Sequence, residues 1–411
     1  MPRRKDEYLV ALDLGTTTAR CAIACWRASD ELVLEGYGEA PSAGVSKGLI
    51  LDAAGAAESI RKAVEAASAR ASVKVVTVLA SVATPYARGL NSRGCIGITH
   101  DDKVVRGNDA LSALAAAHRI SLPADRAVTE VYSQGFAVDD VRGIRNPVGI
   151  AGGRLEAEVH VVTDAAFAHN NIEQAVAAAG CRVEQVIFGP VAAAEAVLSD
   201  EEKRLGSVHV DLGASTTSVT IYVGGFPRFA RVLPIGCQHI TNDLAVGLNT
   251  SVEDAEQLKR AWGVTEAQRP RRRGKVPKVD VVPADGTGSH AVPLWRLGLI
   301  VRARVEEIFE LVSKEVDRSG LAAASCGRVV LTGGFCLMDG ALAAAHRALR
   351  RPVRVGHVEM ETPLTQLELG PAHATLLGTL ARGISRREQR FDRRFHEGGL
   401  RSVFKRVAGW L

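Results

Sequence analysis

Along the chain the spacing of apolar positions changes several times, and each change marks an element. Leu9-Val-Ala-Leu-Asp13 is an apolar run ending in an acid. A turn of glycine and hydroxyls follows, Leu14-Gly15-Thr16-Thr17-Thr18, and then a second strand-like run to Ile23. The device returns at Val208-His-Val-Asp211-Leu-Gly213-Ala-Ser215-Thr216-Thr217-Ser-Val-Thr-Ile221, where Gly224-Gly225 leads into a third strand over 226–233. Between the two copies a helical spacing predicts an Ala-rich helix over 52–69 with Asp52 at its start, and a buried strand over 73–83. A helix is predicted over 164–180, with Asp164 as N-cap and Gly180 at its C-terminal end. Residues 84–162 break into short, glycine-punctuated segments and form an inserted subdomain. Further on, helices are expected over 252–261 and 294–319, then a strand over 328–332 meeting Gly333-Gly334 and a helix from about 338. A last helix, 372–384, precedes a charged stretch, 385–399, with too few apolar residues to pack.

Residues 400–411 regain the period. Leu400, Val403, Phe404, Val407, Trp410 and Leu411 fall within an arc of about 120°, while Arg401, Lys405 and Arg406 lie outside it. Such a helix suits a protein groove or an anionic lipid surface, and at about 18 Å it is too short to cross a bilayer. Alternating strands and helices, with one hairpin device opening each half, describe a duplicated α/β fold.

Composition adds three points. With 411 residues, 46% hydrophobic and 24% charged, the chain is folded and large enough for more than one core. The formal charge of +5 is concentrated at the end, because 382–411 holds nine Lys/Arg against three Asp/Glu. Attraction to an anionic partner is therefore expected at the C-terminus, and a body-wide nucleic-acid footprint is not; the basic loop 268–278 reads as solvated. Seven cysteines without a C-x-x-C pair read as reduced core residues of a cytoplasmic protein, and the isolated His169, His209 and His239 suggest no zinc site.

Clustered phosphate charge is held by backbone N–H groups in glycine turns, by hydroxyls, and by a divalent metal whose waters carboxylates hold. Gly15 and Gly213 would let the backbone approach, and Thr16, Thr17, Thr18, Ser215, Thr216 and Thr217 offer hydroxyls. Asp13 and Asp211 would hold hydrated Mg²⁺. Thr332-Gly333-Gly334-Phe335 is a turn against which a flat base can lie. Glu256 and Lys259 share one helix face, a placement that fits a ligand contact and a surface ion pair equally well.

Two such hairpins followed by the T-G-G turn resemble the actin, sugar-kinase and DnaK-chaperone superfamily, whose duplicated ribonuclease H-like lobes clamp ATP. Within it the chain is similar to the bacterial cell-division family FtsA over nearly its whole length. The matching passages are Gly44-Val-Ser-Lys-Gly48, Asn146-Pro-Val-Gly149, Val232-Leu-Pro-Ile-Gly236, Glu253-Asp-Ala-Glu-Gln-Leu-Lys259 and the terminal helix. The resemblance implies an actin-like two-lobe fold divided into 7–84 and 164–205 (subdomain 1A), 85–163 (the insert, 1C), 206–242 and 325–384 (2A), 243–324 (2B), a linker over 385–399 and a membrane-targeting helix over 400–411. It implies ATP and Mg²⁺ at Asp13, Gly15, Thr16, Thr17, Asp211, Gly213 and Thr216, with Glu256 and Lys259 at the ribose and adenine and Gly333, Gly334 and Phe335 at the adenosine. It further implies binding of the FtsZ C-terminal tail near Arg304 and Glu307, filaments, other division proteins, anionic lipid and a place on the inner membrane at the septum. Two departures stand out: Thr18 replaces a lysine frequent in relatives, and Gly189 occupies an arm where chaperone-like members carry an acid or amide that orients water. Nucleotide binding is thus a firmer expectation than hydrolysis. A small-metabolite kinase of the same superfamily and a PilM-like pilus scaffold are the other readings.

Overall fold

The computed structural model describes residues 8–26, 32–263, 276–286, 288–325, 327–358 and 368–383. Two five-stranded sheets share one plan. In the first, Tyr8–Leu14 pairs antiparallel with Thr18–Trp26, which pairs with Leu32–Pro41; on its other side Tyr8–Leu14 runs parallel to Thr77–Val82 and then Arg182–Phe188. The second repeats it, with Ser207–Leu212, Thr217–Val223 and Phe226–Leu233 antiparallel, and Val329–Thr332 and Val353–Val355 parallel. The repeated hairpin read from sequence is therefore the seed of a duplicated sheet.

Helices cover both sheets. Ala53–Ala71 starts where Asp52 accepts the N–H of Ala54, and its buried stripe of Ala56, Ile60, Ala63, Val64 and Ala67 faces the first sheet. Leu294–Arg318 buries Leu297, Val301, Val305, Ile308, Phe309 and Val312 against the second, as its period predicts. Residues 88–165 make a separate four-stranded antiparallel sheet packed on the helix Gly107–Ala117, with its own small core.

Boundaries differ from expectation at three points. The strand expected over 73–83 is confined to Thr77–Val82. Asp164 is not an N-cap: it lies in the strand Arg154–Ala165, and its buried carboxylate accepts from Thr84 Oγ1 at 2.6 Å and from the N–H of Ala165. The helix begins two residues later, as Ala166–Ala178, because the long strand uses Asp164 in a tertiary contact. After Gly333 the chain makes a 3₁₀ turn, Gly334–Leu337, so the next helix starts at Ala341.

Residues 374–383 are helical and central. Leu376, Leu377 and Leu380 are buried with Phe188, Val191 and Ala192 of the first lobe, Tyr222, Val232 and Val330 of the second, and Tyr132 and Val162 of the inserted sheet. At the end of this helix Arg382 pairs with Glu130 at 3.0 Å and Glu195 at 3.2 Å and lies 4.8 Å over the Tyr132 ring. The insert also touches the second lobe directly. Arg228 donates to Gln134 Oε1 at 2.8 Å, and Gln134 Nε2 donates to the Pro227 carbonyl at 2.8 Å.

Candidate functional site

Asp13 and Asp211 end equivalent strands. The register sets Asp13 beside Ser81 of the parallel neighbour and Asp211 beside Thr332 of its own. Each acid accepts from that hydroxyl, at 2.6 Å from Ser81 Oγ and 2.8 Å from Thr332 Oγ1. The turns that follow are also alike: the Gly15 N–H donates to the Thr18 carbonyl at 3.1 Å, and the Gly213 N–H to the Thr216 carbonyl at 3.0 Å.

The two hairpins face each other across a cleft of about 770 Å³. Asp13, Gly15, Thr16, Thr17 and Thr18 line one side; Asp211, Gly213 and Thr216 the other; Glu256, Lys259, Gly333 and Gly334 the remaining walls. Residues taken from separate stretches of sequence thus come together at one site. Gly333 is required there, since at φ +89 an added Cβ would sit 2.4 Å from the Leu212 carbonyl oxygen.

Three expected contacts turn elsewhere. The Ser215 hydroxyl bonds to the Thr16 hydroxyl and accepts the Lys47 N–H at 2.9 Å, so it ties the hairpins together. Thr217 Oγ1 donates to the Ile235 carbonyl at 2.7 Å inside the second sheet. The Phe335 ring is fully buried edge-on to Phe309, at 5.6 Å between centroids, and packs beneath the turn. Residues that spacing did not bring forward also reach the cleft: Arg20, Glu39, Ser81, Thr241 and Thr375. Period-two alternation from Thr18 would have pointed to Arg20.

Charge is unevenly compensated. Burial, and then the charge of Asp13, push the Asp211 carboxyl up to about 6 against the opposing Thr332 hydrogen bond and Arg20. His209 is buried, its pKa depressed to about 3 by desolvation first and Arg354 second; its Nε2 lies 2.9 Å from Thr332 Oγ1. Because Thr332 donates to Asp211, the neutral imidazole donates to Thr332. Lys259, almost wholly buried, donates to Glu256 and to Thr241 Oγ1 at 2.8 Å, and Arg260 holds the other Glu256 oxygen at 2.8 Å. Burial raises the Glu256 pKa, but these hydrogen bonds outweigh it, and the carboxyl is held below its usual range.

Outside the cleft, Arg304 is already paired. It grips Asp243 through two nitrogens, at 2.5 and 2.9 Å, and also contacts Glu307. Gly189 opens the helix Gly189–Val197, where an added Cβ would meet the Thr375 methyl at 3.1 Å and the Val82 carbonyl oxygen at 3.4 Å. The linker over 385–399 and the amphipathic helix over 400–411 lie outside the described residues, as does most of the basic loop. Among the described residues no helix is long and apolar enough to cross a membrane.

Comparison with known proteins assigns these features to one family. Residues 208–378 match the family model described as "Cell division protein FtsA", and residues 85–163 the model "SHS2 domain inserted in FTSA". The chain is 33% identical to the cell division protein FtsA of Pseudomonas aeruginosa, over 93% of this chain and 91% of that one. It is 31% identical to that of Neisseria meningitidis (92% and 90%) and 27% identical to that of Escherichia coli (98% and 97%). Among solved structures it superposes on a PilM–PilN type IV pilus biogenesis complex with TM-score 0.64 at 15% identity, covering 92% of this chain and 98% of that one. MreB5 of Spiroplasma citri bound to AMPPNP gives TM-score 0.53 at 10% identity, covering 94% and 99%. These structures share the fold, which is actin-like, and the sequence relationships show that the chain belongs to the FtsA family of cell division proteins.

Proposed function

We propose that this chain is an ATP-binding, actin-like division protein that polymerises on the inner membrane, tethers the FtsZ ring there and recruits later division proteins. The observation that carries the nucleotide reading is the pair of matched acid–hydroxyl strand ends, Asp13 with Ser81 and Asp211 with Thr332, opposed across one cleft. In this reading the glycine turns with Thr16, Thr17, Thr18 and Thr216 hold the phosphates. Glu256 and Lys259 lie at the ribose and adenine, and Gly333 and Gly334 at the adenosine. The MreB5 relative of the same fold is bound to AMPPNP.

The donor set fits Mg²⁺: two carboxylates, Asp13 and Asp211, line one cleft, and burial first, with the charge of Asp13 adding to it, raises the cost of an ionised Asp211 in the absence of a cation. Asp13 and Asp211 would hold the ion through its waters, and the ion would offset phosphate charge. Gly189 brings no acid or amide to orient water, which favours weak turnover or none.

The remaining roles lie outside the cleft. A carboxylate-bearing tail such as that expected of FtsZ would compete with Asp243 and Glu307 for Arg304. Leu400, Val403, Phe404, Val407, Trp410 and Leu411 would enter the lipid surface with Arg401, Lys405 and Arg406 over anionic headgroups, each basic residue contributing about 1 kcal/mol. One copy would bind reversibly and a filament firmly, through avidity. Trp410→Glu is expected to abolish pelleting with anionic liposomes while ATP binding is retained; unchanged pelleting would remove the anchor from this reading.

A further inference from the structure

Behind the two matched acid–hydroxyl strand ends, the lobes differ. In the first sheet the register places Ala11 and Leu79 behind Asp13 and Ser81; in the second it places His209 and Val330 behind Asp211 and Thr332. Alternation along the strand turns His209 to the same face as Asp211. Its Nε2 lies 2.9 Å from Thr332 Oγ1, and Thr332 donates to Asp211 Oδ1 at 2.8 Å. Ser81 donates to Asp13 in the same way, at 2.6 Å, but Ala11 behind it carries no side-chain donor.

His209 and Thr332 are wholly buried, and of this chain of three only Asp211 lines the cleft. The other imidazole nitrogen, Nδ1, is shut off from solvent without a hydrogen-bond partner. An apolar residue would avoid that cost in the middle of a sheet, as Ala11 does in the first lobe. What the imidazole supplies is its bond to Thr332. A hydroxyl turns about its C–O bond and can aim its single proton at any acceptor within reach. With Nε2–H held against its oxygen, the Thr332 proton is left for Asp211, and the carboxylate strengthens the whole chain. The donation is the same from neutral imidazole and from imidazolium. Thr332 thereby occupies Oδ1 and leaves Oδ2 for the cleft.

We propose that His209 is a positioning residue for the divalent cation of this cleft: acting through Thr332, it fixes the Asp211 carboxylate in the orientation that holds the ion's waters. The proposal rests on the Mg²⁺–nucleotide reading given above. It makes Asp211 the preset acid of the pair, whereas Asp13 has a hydroxyl donor with nothing behind it to hold its direction.

The test is titration of the purified full-length chain with ATP over a series of Mg²⁺ concentrations, with ATP in EDTA and adenosine as metal-independent probes. His209→Val is expected to raise the Mg²⁺ needed for half-maximal ATP binding about tenfold, with the loss confined to the metal-dependent part. His209→Gln, whose amide N–H reaches the place of Nε2, should restore most of it; His209→Asn, whose shorter amide does not, should behave like His209→Val. In a Thr332→Val background His209→Val should add nothing, because the relay is already cut. An unchanged Mg²⁺ requirement in His209→Val, equal losses for ATP in EDTA and for adenosine, or additive losses in the double variant would overturn the assignment. If His209→Val does not fold, the difference between His209→Gln and His209→Asn decides, and its absence overturns the proposal. A native chain whose ATP binding ignores Mg²⁺ would remove the metal reading together with this one, whereas Mg²⁺-dependent binding indifferent to His209 would remove this one alone.

Discussion

Asp211 and His209 lie two residues apart on one strand, both bonded to Thr332, and they titrate in opposite senses. The folded pKa of Asp211 is raised to about 6, above its unfolded value, so its charged form costs stability at neutral pH, and the cost disappears as pH falls from about 6 toward 4. Asp211→Asn should therefore stabilise the ligand-free chain at pH 7 on the order of 2 kcal/mol, an advantage lost near pH 4, as urea denaturation at both pH values would show. His209 does the reverse, because the unfolded chain takes up a proton below about 6.5 that the buried imidazole refuses down to about 3, and stability falls with pH through that window. At this scale the D-L-G and T-G-G strings were legible because glycine and acid are needed at fixed points of a turn. Side-chain direction was not: Ser215, Thr217 and Phe335 stand within the right strings but face a neighbouring hairpin, a carbonyl and the core. Arg20 faces the cleft from a strand the eye passes over.

Elements followed the local signals where burial and capping agreed. Asp52 caps Ala53–Ala71 as its position suggests, and the apolar stripe of Leu294–Arg318 is the face it buries. Asp164 shows how the inference fails, since an N-cap and a buried strand acid look the same until Thr84 is known to lie opposite. The helix over 374–383 was visible as a helix but not as a keystone, because Glu130 and Glu195 reach Arg382 from distant parts of the chain. Replacing one member of a buried charge cluster costs about 3–5 kcal/mol, since its partners stay desolvated. Arg382→Gln should lower stability by that order, and adding Glu130→Gln should recover part of it; a double-mutant cycle from chemical denaturation would measure the coupling.

For the whole molecule, duplication was readable from two strings of a dozen residues, whereas the docking of the inserted sheet was not. That sheet is bound to the first lobe through Glu130, which accepts the Phe188 N–H at 2.9 Å, and Asp164, which accepts from Thr84, and to the second through Arg228, Gln134 and the Pro227 carbonyl. Arg228→Ala is expected to speed amide exchange together in 126–138 and 226–233 while 53–71 keeps its protection; exchange unchanged in the insert would show the contact to be incidental. The central helix has one more consequence. Thr375 near its start lines the cleft and Arg382 near its end holds the insert, and the described residues end at Gly383. In the proposed reading, a pull on the tail would enter at the seam between the lobes, about 12 Å of helix from the cleft-lining Thr375, rather than on the outside of either lobe. An anchor at that end, as proposed above, would load the helix whose core both lobes and the insert share.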